Sequence, residues 1–164
     1  MTSTIKILAV DDEPDVELLI KQRFRQRIRS GDLSFSFARH GEEALGIIGE
    51  DPEIQLLLLD INMPVMDGLT LLNELRERRS NVRAVVVSAY GDLPNIRTAM
   101  NRGAFDFVTK PVDFSDLEVT IDKALESIAQ IRTLDRRRAE AERARGNLAR
   151  YFSPNIVDLL ADSD

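Results

Sequence analysis

An apolar run in the middle of the chain constrains its fold more than any other feature. Ile54 and Leu56–Leu59 form an almost unbroken apolar stretch that ends at a carboxylate, Asp60. A short continuous run of this kind is typical of a strand buried on both faces, as in the centre of a parallel sheet. Such a strand carries the next residue to the carboxyl edge of the sheet, where open α/β folds bind ligands. We therefore expect Asp60 to lie in a functional site; the alternative is that it caps a turn or helix.

Strand-like and helix-like patterns alternate along most of the chain. The predicted strands are Ile5–Val10, Leu33–Ala38, Ile54–Leu59, Val82–Val87 and Phe105–Val108. The predicted helices are Val16–Arg29, Glu42–Gly49, Leu69–Arg78, Asn95–Asn101 and a long helix that begins at Phe114. This alternation predicts an α/β fold with a doubly wound, mostly parallel sheet and helices on both faces. If the strand order is 2-1-3-4-5, as we expect, the first, third, fourth and fifth strands are neighbours.

Composition excludes several kinds of site. The 164 residues contain no cysteine and a single histidine, His40, so disulfides, zinc thiolate sites and multi-histidine metal sites are excluded. A net charge of −6 argues against nucleic-acid binding by the globular part. The N-terminus lacks a signal-peptide pattern, and no apolar stretch approaches the roughly 18 residues that span a bilayer. We expect a soluble, cytoplasmic protein that binds neither nucleic acid nor membrane.

Polar side chains also follow three other predicted strands. Asp11 and Asp12 follow the first strand, Ser88 follows the fourth, and Lys110 follows the fifth. Because parallel strands end at the same edge of a sheet, we expect these groups to converge near Asp60. Three clustered carboxylates repel one another unless a cation neutralises them. An all-oxygen site with few protein ligands and room for water suits Mg²⁺.

The same groups indicate a type of reaction. A carboxylate beside Mg²⁺ and a lysine is suited to accept a phosphoryl group, because the metal and the ammonium offset the charge of that group. No base is positioned to activate Ser88, so serine-hydrolase chemistry is not supported. Each residue alone has an ordinary explanation, such as a helix cap or a surface charge, but their convergence on one edge does not.

Four short motifs resemble the receiver domain of two-component response regulators. They are Val10–Glu13, Leu59–Pro64 with Asp67 and Gly68, Val87–Ala89, and Lys110 with Pro111. The resemblance covers residues 4–126, and we expect a receiver domain over residues 1–126. It implies a flavodoxin-like fold and phosphorylation of Asp60 by a sensor histidine kinase or a phosphotransfer protein.

The resemblance also implies roles for individual residues. Those that bind Mg²⁺ would be Asp12, Asp60 and the Asn62 carbonyl directly, and Asp11 largely through water. Lys110 would contact the phosphoryl group, Ser88 would donate its hydroxyl to it, and the peptide bond between Lys110 and Pro111 would be cis. Phe107 fills the position of the family's switch aromatic; the alternative is a permanently buried strand residue.

Two variable positions flank the expected path of a hydrolytic water. Asn62 lies two residues after Asp60, and Tyr90 lies two residues after Ser88. A bulky Tyr90 would hinder that water more than a small residue would, so we expect Tyr90 to affect the lifetime of the phosphorylated form.

The last predicted helix is longer than the cover of one strand requires. Its helical pattern runs from Phe114 to about Tyr151. Apolar residues spaced by three and four form a seam that slips by one residue part-way: Leu117, Ile121, Ala124, Ile128, Ile131, then Leu134, Ala141, Leu148. A seam with no core to cover predicts a coiled-coil homodimer. The alternative is a frayed, solvated tail, because Arg138 and Glu142 dilute the seam.

The C-terminal segment carries a second resemblance. Asn147–Leu160 is similar to the segment that precedes the catalytic domain in many class III adenylate/guanylate cyclases. Ser153 and Pro154 predict an N-cap and first position of a short helix, Asn155–Ala161. We expect residues 127–164 to form a helical, coiled-coil linker to an output domain that is absent from this chain. The chain itself would not be an enzyme.

Two other functions stay open. A Mg²⁺-dependent phosphohydrolase of the aspartyl-phosphate type shares the aspartate and the lysine, but needs an acid two residues after the nucleophile, where Asn62 stands. A stand-alone receiver or scaffold that binds a partner through its C-terminal helix also fits the pattern.

Overall fold

The core of the protein is a sheet of five parallel strands in the order β2-β1-β3-β4-β5. The computed structural model describes residues 4–63, 66–78 and 80–149. The strands are β1 (Ile5–Val10), β2 (Leu33–Ala38), β3 (Ile54–Asp60), β4 (Arg83–Ala89) and β5 (Asp106–Lys110). All neighbouring strands pair in parallel. The predicted doubly wound α/β fold and its strand order are confirmed.

Helices follow the strands, and α3 and α4 begin at side-chain caps. They are α1 (Pro14–Arg23), α2 (Arg25–Arg29), α3 (Gly41–Glu50), α4 (Gly68–Glu77), α5 (Leu93–Asn101) and α6 (Phe114–Ala149). His40 Nδ1 accepts the Glu43 amide at 3.3 Å at the start of α3, and Asp67 Oδ1 accepts the Thr70 amide at 2.8 Å at the start of α4. These caps satisfy amides that have no partner within the helix, and they fix the loops that leave the strand ends.

β3 is the central strand and is buried on both faces, as its apolar run predicts. Leu56–Leu59 are at most 4% exposed. Leu57 packs into the core beneath α3, α4 and α5, whereas Leu58 lines a cavity together with Ile20 of α1. Helices therefore cover both faces of the sheet. Because burial of one leucine contributes about 1.5–3 kcal/mol, this run holds Asp60 firmly at the strand end.

The single helix predicted over Val16–Arg29 is wrong, because the structure divides it at Phe24. Phe24 has φ −100° and ψ 14°, whereas a regular α-helix has ψ of about −42°. Hydrogen bonding continues across the break, from the Phe24 amide to the Ile20 carbonyl and from the Ile28 amide to the Phe24 carbonyl. The Phe24 ring is 1% exposed, and its centroid lies 5.4 Å from that of Phe35 in β2. The packing of Phe24 against β2 therefore outweighs the preference of this segment for one continuous helix.

α6 spans the point between Leu125 and Glu126 at which the chain separates into two units. In the first unit, the buried members of the predicted seam are Leu117, Ile121 and Ala124. In the second unit, Ile131 is 41% exposed and Leu134 is 63% exposed. The seam is therefore buried at its start and exposed further along.

The predicted long helix is confirmed as far as Ala149. The rest of the cyclase-like segment, the predicted helix start at Ser153 and Pro154, and the predicted helix Asn155–Ala161 lie outside the described residues. None of the helices that the structure describes is both long and apolar enough to cross a membrane.

Phe24→Ala is expected to lower the free energy of unfolding by about 3–5 kcal/mol, because it leaves a cavity between the α1–α2 junction and β2. The matched control is Leu18→Ala, since Leu18 lies on α1 and is 68% exposed; it is expected to change stability by about 0.5 kcal/mol or less. Urea unfolding measures both variants, and equal midpoints for the two would contradict this account of the helix break.

Candidate functional site

Asp60 is the last residue of β3 and is only 2% exposed. Its Oδ2 lies 3.0 Å from Lys110 Nζ, and its Oδ1 accepts the Asn62 amide at 3.0 Å. Strand pairing explains the first contact, because Asp60 lies opposite Val87 in β4, and Lys110 lies opposite Ala89 on the other side of β4. A buried carboxylate requires compensation of this kind.

Asp11 and Asp12 bring two further carboxylates to Asp60. Both follow β1, which pairs with β3, and the Asp11 amide donates to the Ala38 carbonyl at the end of β2. One carboxylate oxygen from each of the three aspartates lies within 4.8 Å of the others. Mg²⁺ prefers hard oxygen ligands, so the donor set fits a divalent cation.

The charges at this edge of the sheet are only partly balanced. Burial raises the pKa of Asp11 to about 6; the charge of Asp60 adds to this rise, and a hydrogen bond from the Glu13 amide opposes it. Burial alone would lower the pKa of Lys110, but its hydrogen bond to Asp60 and the charges of Asp60 and Asp11 raise it above the ordinary value. One ammonium therefore leaves a surplus of negative charge that a cation would neutralise.

Gly68 allows the loop after Asp60 to fold back against the strand end. A Cβ at this position would lie 2.6 Å from the Asp60 carbonyl oxygen and 2.8 Å from Ile61 Cα. The Gly68 amide donates to the Ile61 carbonyl at 3.0 Å. Only glycine permits so close an approach. The pairing of Asp67 with Gly68 in the sequence motif thus has a packing reason, since both residues place the loop beside Asp60.

Ser88 lies near the cluster, but its hydroxyl points to another partner. Ser88 is fully buried, and β4 continues past it to Ala89. Ser88 Oγ donates to Asp92 Oδ2 at 3.4 Å, and the same oxygen accepts Asn95 Nδ2 at 2.8 Å. Among the described hydrogen bonds, none joins Ser88 to Asp60. The sequence pattern does not single out Asp92, which looks like an ordinary turn residue; an acid four residues after Ser88 is the signal that would find it.

Phe107, Tyr90 and Asn62 are exposed. Phe107 in β5 is 40% exposed, so the alternative of a permanently buried strand residue is wrong. Tyr90, just past the end of β4, is 86% exposed.

The peptide bond between Lys110 and Pro111 is cis, as predicted.

A cavity of about 270 Å³ borders the cluster. Its polar wall includes Asp11, Asp60 and Lys110, and its apolar wall includes Leu19 of α1 and Phe114 of α6. Asp60 can therefore be approached from this side although it is almost completely buried.

The family model of the response regulator receiver domain matches residues 7–122. The chain belongs to this family. Receiver domains are the signalling modules of two-component systems and interact with histidine kinases or phosphotransfer proteins. The acidic cluster of Asp11, Asp12 and Asp60 corresponds to the pocket in which receiver domains generally use Mg²⁺.

Several relatives of this receiver domain are similar over most of its length. Sporulation initiation phosphotransferase F of Bacillus subtilis is 32% identical over 120 residues, which cover 73% of this chain and 93% of that protein. Regulatory protein AtoC of Escherichia coli is 32% identical over 126 residues, which cover 77% of this chain and 26% of that protein. The chain thus spans about a quarter of the length of AtoC.

Solved structures show the same likeness. The receiver domain of NtrX from Brucella abortus has a TM-score of 0.65 at 30% identity, covering 73% of this chain and 98% of that chain. The signal receiver domain of an HD domain-containing protein from Pseudomonas fluorescens has a TM-score of 0.72 at 25% identity, covering 81% of this chain and 95% of that chain.

Asp11→Asn is expected to stabilise the metal-free receiver domain in mildly alkaline solution. The pKa of Asp11 in the folded protein, about 6, lies above its ordinary value of 3.8. The folded state therefore binds the proton more tightly, and stability falls as the pH rises between these two values. The variant does not suffer this loss, so its melting temperature exceeds that of the wild type at about pH 8, and the gain shrinks toward about pH 4.

Thermal unfolding in the presence of EDTA measures this difference. Asp15→Asn, which replaces an exposed acid on α1 outside the cluster, is the control and gives no comparable gain at the higher pH. Equal melting temperatures for wild type and Asp11→Asn at about pH 8 would count against an unfavourable charge on Asp11.

Proposed function

We propose that Asp60 accepts a phosphoryl group from a phosphohistidine donor. The observation that carries the proposal is the pairing of the buried Asp60 with Lys110, at 3.0 Å, beside two further carboxylates. An oxygen of Asp60 forms a bond to phosphorus, while the phosphorus–nitrogen bond breaks and leaves its electron pair on the donor imidazole. The product is an acyl phosphate on Asp60.

Mg²⁺ is the proposed cofactor. Its ligands would be Asp12, Asp60 and the Asn62 carbonyl directly, and Asp11 largely through water. Bound there, the ion offsets the charge of the transferred group. Lys110 supplies a second positive charge beside Asp60, and together with the carboxylates it would position the phosphoryl group. The support for this assignment is the oxygen donor set and the surplus negative charge at the edge of the sheet.

Phosphorylation would act as a switch through Ser88, Lys110 and Phe107. The new group adds about two negative charges at Asp60. The Ser88 hydroxyl and the Lys110 ammonium bind it, and Phe107, which is exposed on β5, repacks with β4 and β5. The switch requires no new fold, only a change in the populations of two arrangements of the receiver domain. A tenfold bias in output requires about 1.4 kcal/mol of differential stabilisation.

The proposed donor is a sensor histidine kinase or a phosphotransfer protein, and the proposed location is the cytoplasm. Membership of the receiver family supports this choice. We assign neither nucleic acid nor membrane as a partner of the receiver domain, because the chain as a whole is acidic.

The proposed organisation is a receiver domain over residues 1–126 and a helical linker over residues 127–164. The linker forms a coiled-coil homodimer and carries the signal to an output domain. Exposure of Ile131 and Leu134 on α6 supports an unpaired apolar seam. The resemblance of Asn147–Leu160 to the segment before class III cyclase domains makes a nucleotide cyclase the proposed output.

Two alternatives compete with this function. A stand-alone scaffold would use the same seam of α6 for a different partner helix, and its association would not respond to phosphorylation. An aspartyl-phosphate phosphohydrolase is disfavoured, because Asn62 provides no general acid two residues after Asp60. Under the proposed function, this chain is a phosphoryl acceptor and not itself an enzyme.

Asp60→Asn is expected to abolish phosphoryl uptake. The wild type, incubated with phosphoramidate and Mg²⁺, forms an acid-stable, base-labile adduct at Asp60, and the phosphorus–nitrogen bond of the donor breaks as ammonia leaves. Intact-mass measurement with peptide mapping detects the adduct, and EDTA suppresses it. Asp15→Asn is the matched control and keeps full uptake. An adduct of equal yield on Asp60→Asn would remove Asp60 as the acceptor.

Tyr90→Ala is expected to change the lifetime of the phosphorylated form. The Tyr90 side chain is exposed beside the end of β4, where a water that attacks the acyl phosphate is expected to pass. A small side chain hinders that water less, so dephosphorylation accelerates by about two- to tenfold. The decay of the adduct after removal of the donor measures this rate, and a rate equal to that of the wild type would refute the role of Tyr90.

A further inference from the structure

The carboxylate of Asp92 does not cap the helix that it precedes. Asp92 is the N-cap residue of α5, yet its side chain accepts no hydrogen bond from the helix backbone. An N-cap carboxylate ordinarily accepts the amide of the second or third helical residue. The second residue here is Pro94, which has no N–H. The backbone amide of Asn95 is therefore the donor that a capping Asp92 would use.

Asp92 instead holds two side chains. Its Oδ2 accepts Asn95 Nδ2 at 2.8 Å and the Ser88 hydroxyl at 3.4 Å. Ser88 is fully buried, and this is the only hydrogen bond of its hydroxyl among the described contacts. A serine hydroxyl has one proton to donate. A phosphoryl group on Asp60 and the carboxylate of Asp92 would therefore compete for the same proton.

We propose that Asp92 is a positioning residue that withholds the Ser88 hydroxyl from the site while Asp60 is unphosphorylated. The inference rests on the proposed phosphoryl acceptance at Asp60. When the Ser88 hydroxyl turns to a phosphoryl oxygen, Asp92 loses one of its two described donors, and its carboxylate can turn to accept the Asn95 backbone amide. The change of partner thus completes the N-cap of α5 and couples the state of Asp60 to the start of that helix.

The length of the contact determines how strongly it acts. A distance of 3.4 Å between Ser88 Oγ and Asp92 Oδ2 is beyond the usual range for a hydroxyl donor. A phosphoryl oxygen can form a shorter, charge-assisted bond with the same hydroxyl. The contact with Asp92 therefore biases the equilibrium toward the unphosphorylated arrangement and does not block the change.

A double-mutant cycle in the full chain tests the proposal. The probe is beryllofluoride with Mg²⁺, which mimics the phosphoryl group on Asp60, and titration calorimetry gives its apparent dissociation constant. Asp92→Ala is expected to tighten binding about three- to tenfold when Ser88 is present. In the Ser88→Ala background the same substitution is expected to change binding less than about twofold, because no hydroxyl remains to be withheld.

The conservative variant separates hydrogen bonding from charge. If Asp92 acted only by repelling an anion at Asp60, Asp92→Asn and Asp92→Ala would tighten binding equally, and Ser88→Ala would leave that gain intact. Such a result overturns the proposal. Under the proposal, Asp92→Asn stays close to the wild type, because its amide oxygen can still accept the Ser88 hydroxyl.

Asn95→Ala gives a second route to the same answer and covers the case in which Asp92→Ala fails to fold. This substitution removes the shorter hydrogen bond of the Asp92 carboxylate. We therefore expect it to change the apparent dissociation constant of beryllofluoride when Ser88 is present but not in the Ser88→Ala background. Binding that is unchanged by Asn95→Ala in both backgrounds, with no coupling between Asp92→Ala and Ser88→Ala, overturns the role of Asp92 alone. A wild type that neither binds the probe nor forms the Asp60 adduct overturns the proposed function as well.

Discussion

Asp60 lies at the end of a buried strand with 2% of its surface exposed, and the free energy of a charge in that position depends almost entirely on its neighbours. Lys110 compensates it directly at 3.0 Å, but Asp11 and Asp12 add further negative charge close by. Burial raises the pKa of Asp11, and the charge of Asp60 adds to that rise, so a charged Asp11 is unfavourable at this edge of the sheet. The oxygen donors at this edge of the sheet thus fit a divalent cation, and we propose that Asp60 accepts a phosphoryl group there.

The sheet holds this arrangement in place. β3 is covered on both faces, so Asp60 cannot move without disturbing the core. Gly68 brings the following loop against the Asp60 backbone, and β4 separates β3 from β5 and so sets the distance to Lys110. These contacts hold Asp60 in position, whereas the hydroxyl of Ser88 and the side chain of Asp92 can change hydrogen-bond partners.

Much of the fold could be predicted from local patterns. The two strands Ile5–Val10 and Leu33–Ala38 match their predicted bounds, and the alternation of periodicities predicts a parallel sheet, which the structure shows. The division of the first helix could not be predicted, because it results from the packing of Phe24 against Phe35 in β2, a contact between two elements that helical periodicity does not describe. The sequence likewise did not determine whether Phe107 is buried or exposed, since an aromatic residue in a strand can lie on a buried or an exposed face.

The sequence by itself determined that carboxylates and a lysine follow parallel strands, and that such strand ends meet at one edge of the sheet. That conclusion follows from the sequence because the hydrophobic pattern of each strand extends over several residues, so one exceptional residue does not change it. Only the tertiary structure decided which of these groups touch, and whether Ser88 donates to Asp60 or to Asp92. A hydrogen bond depends on differences of a few tenths of an ångström, and those are set by loops and packing that no periodicity in the chain encodes.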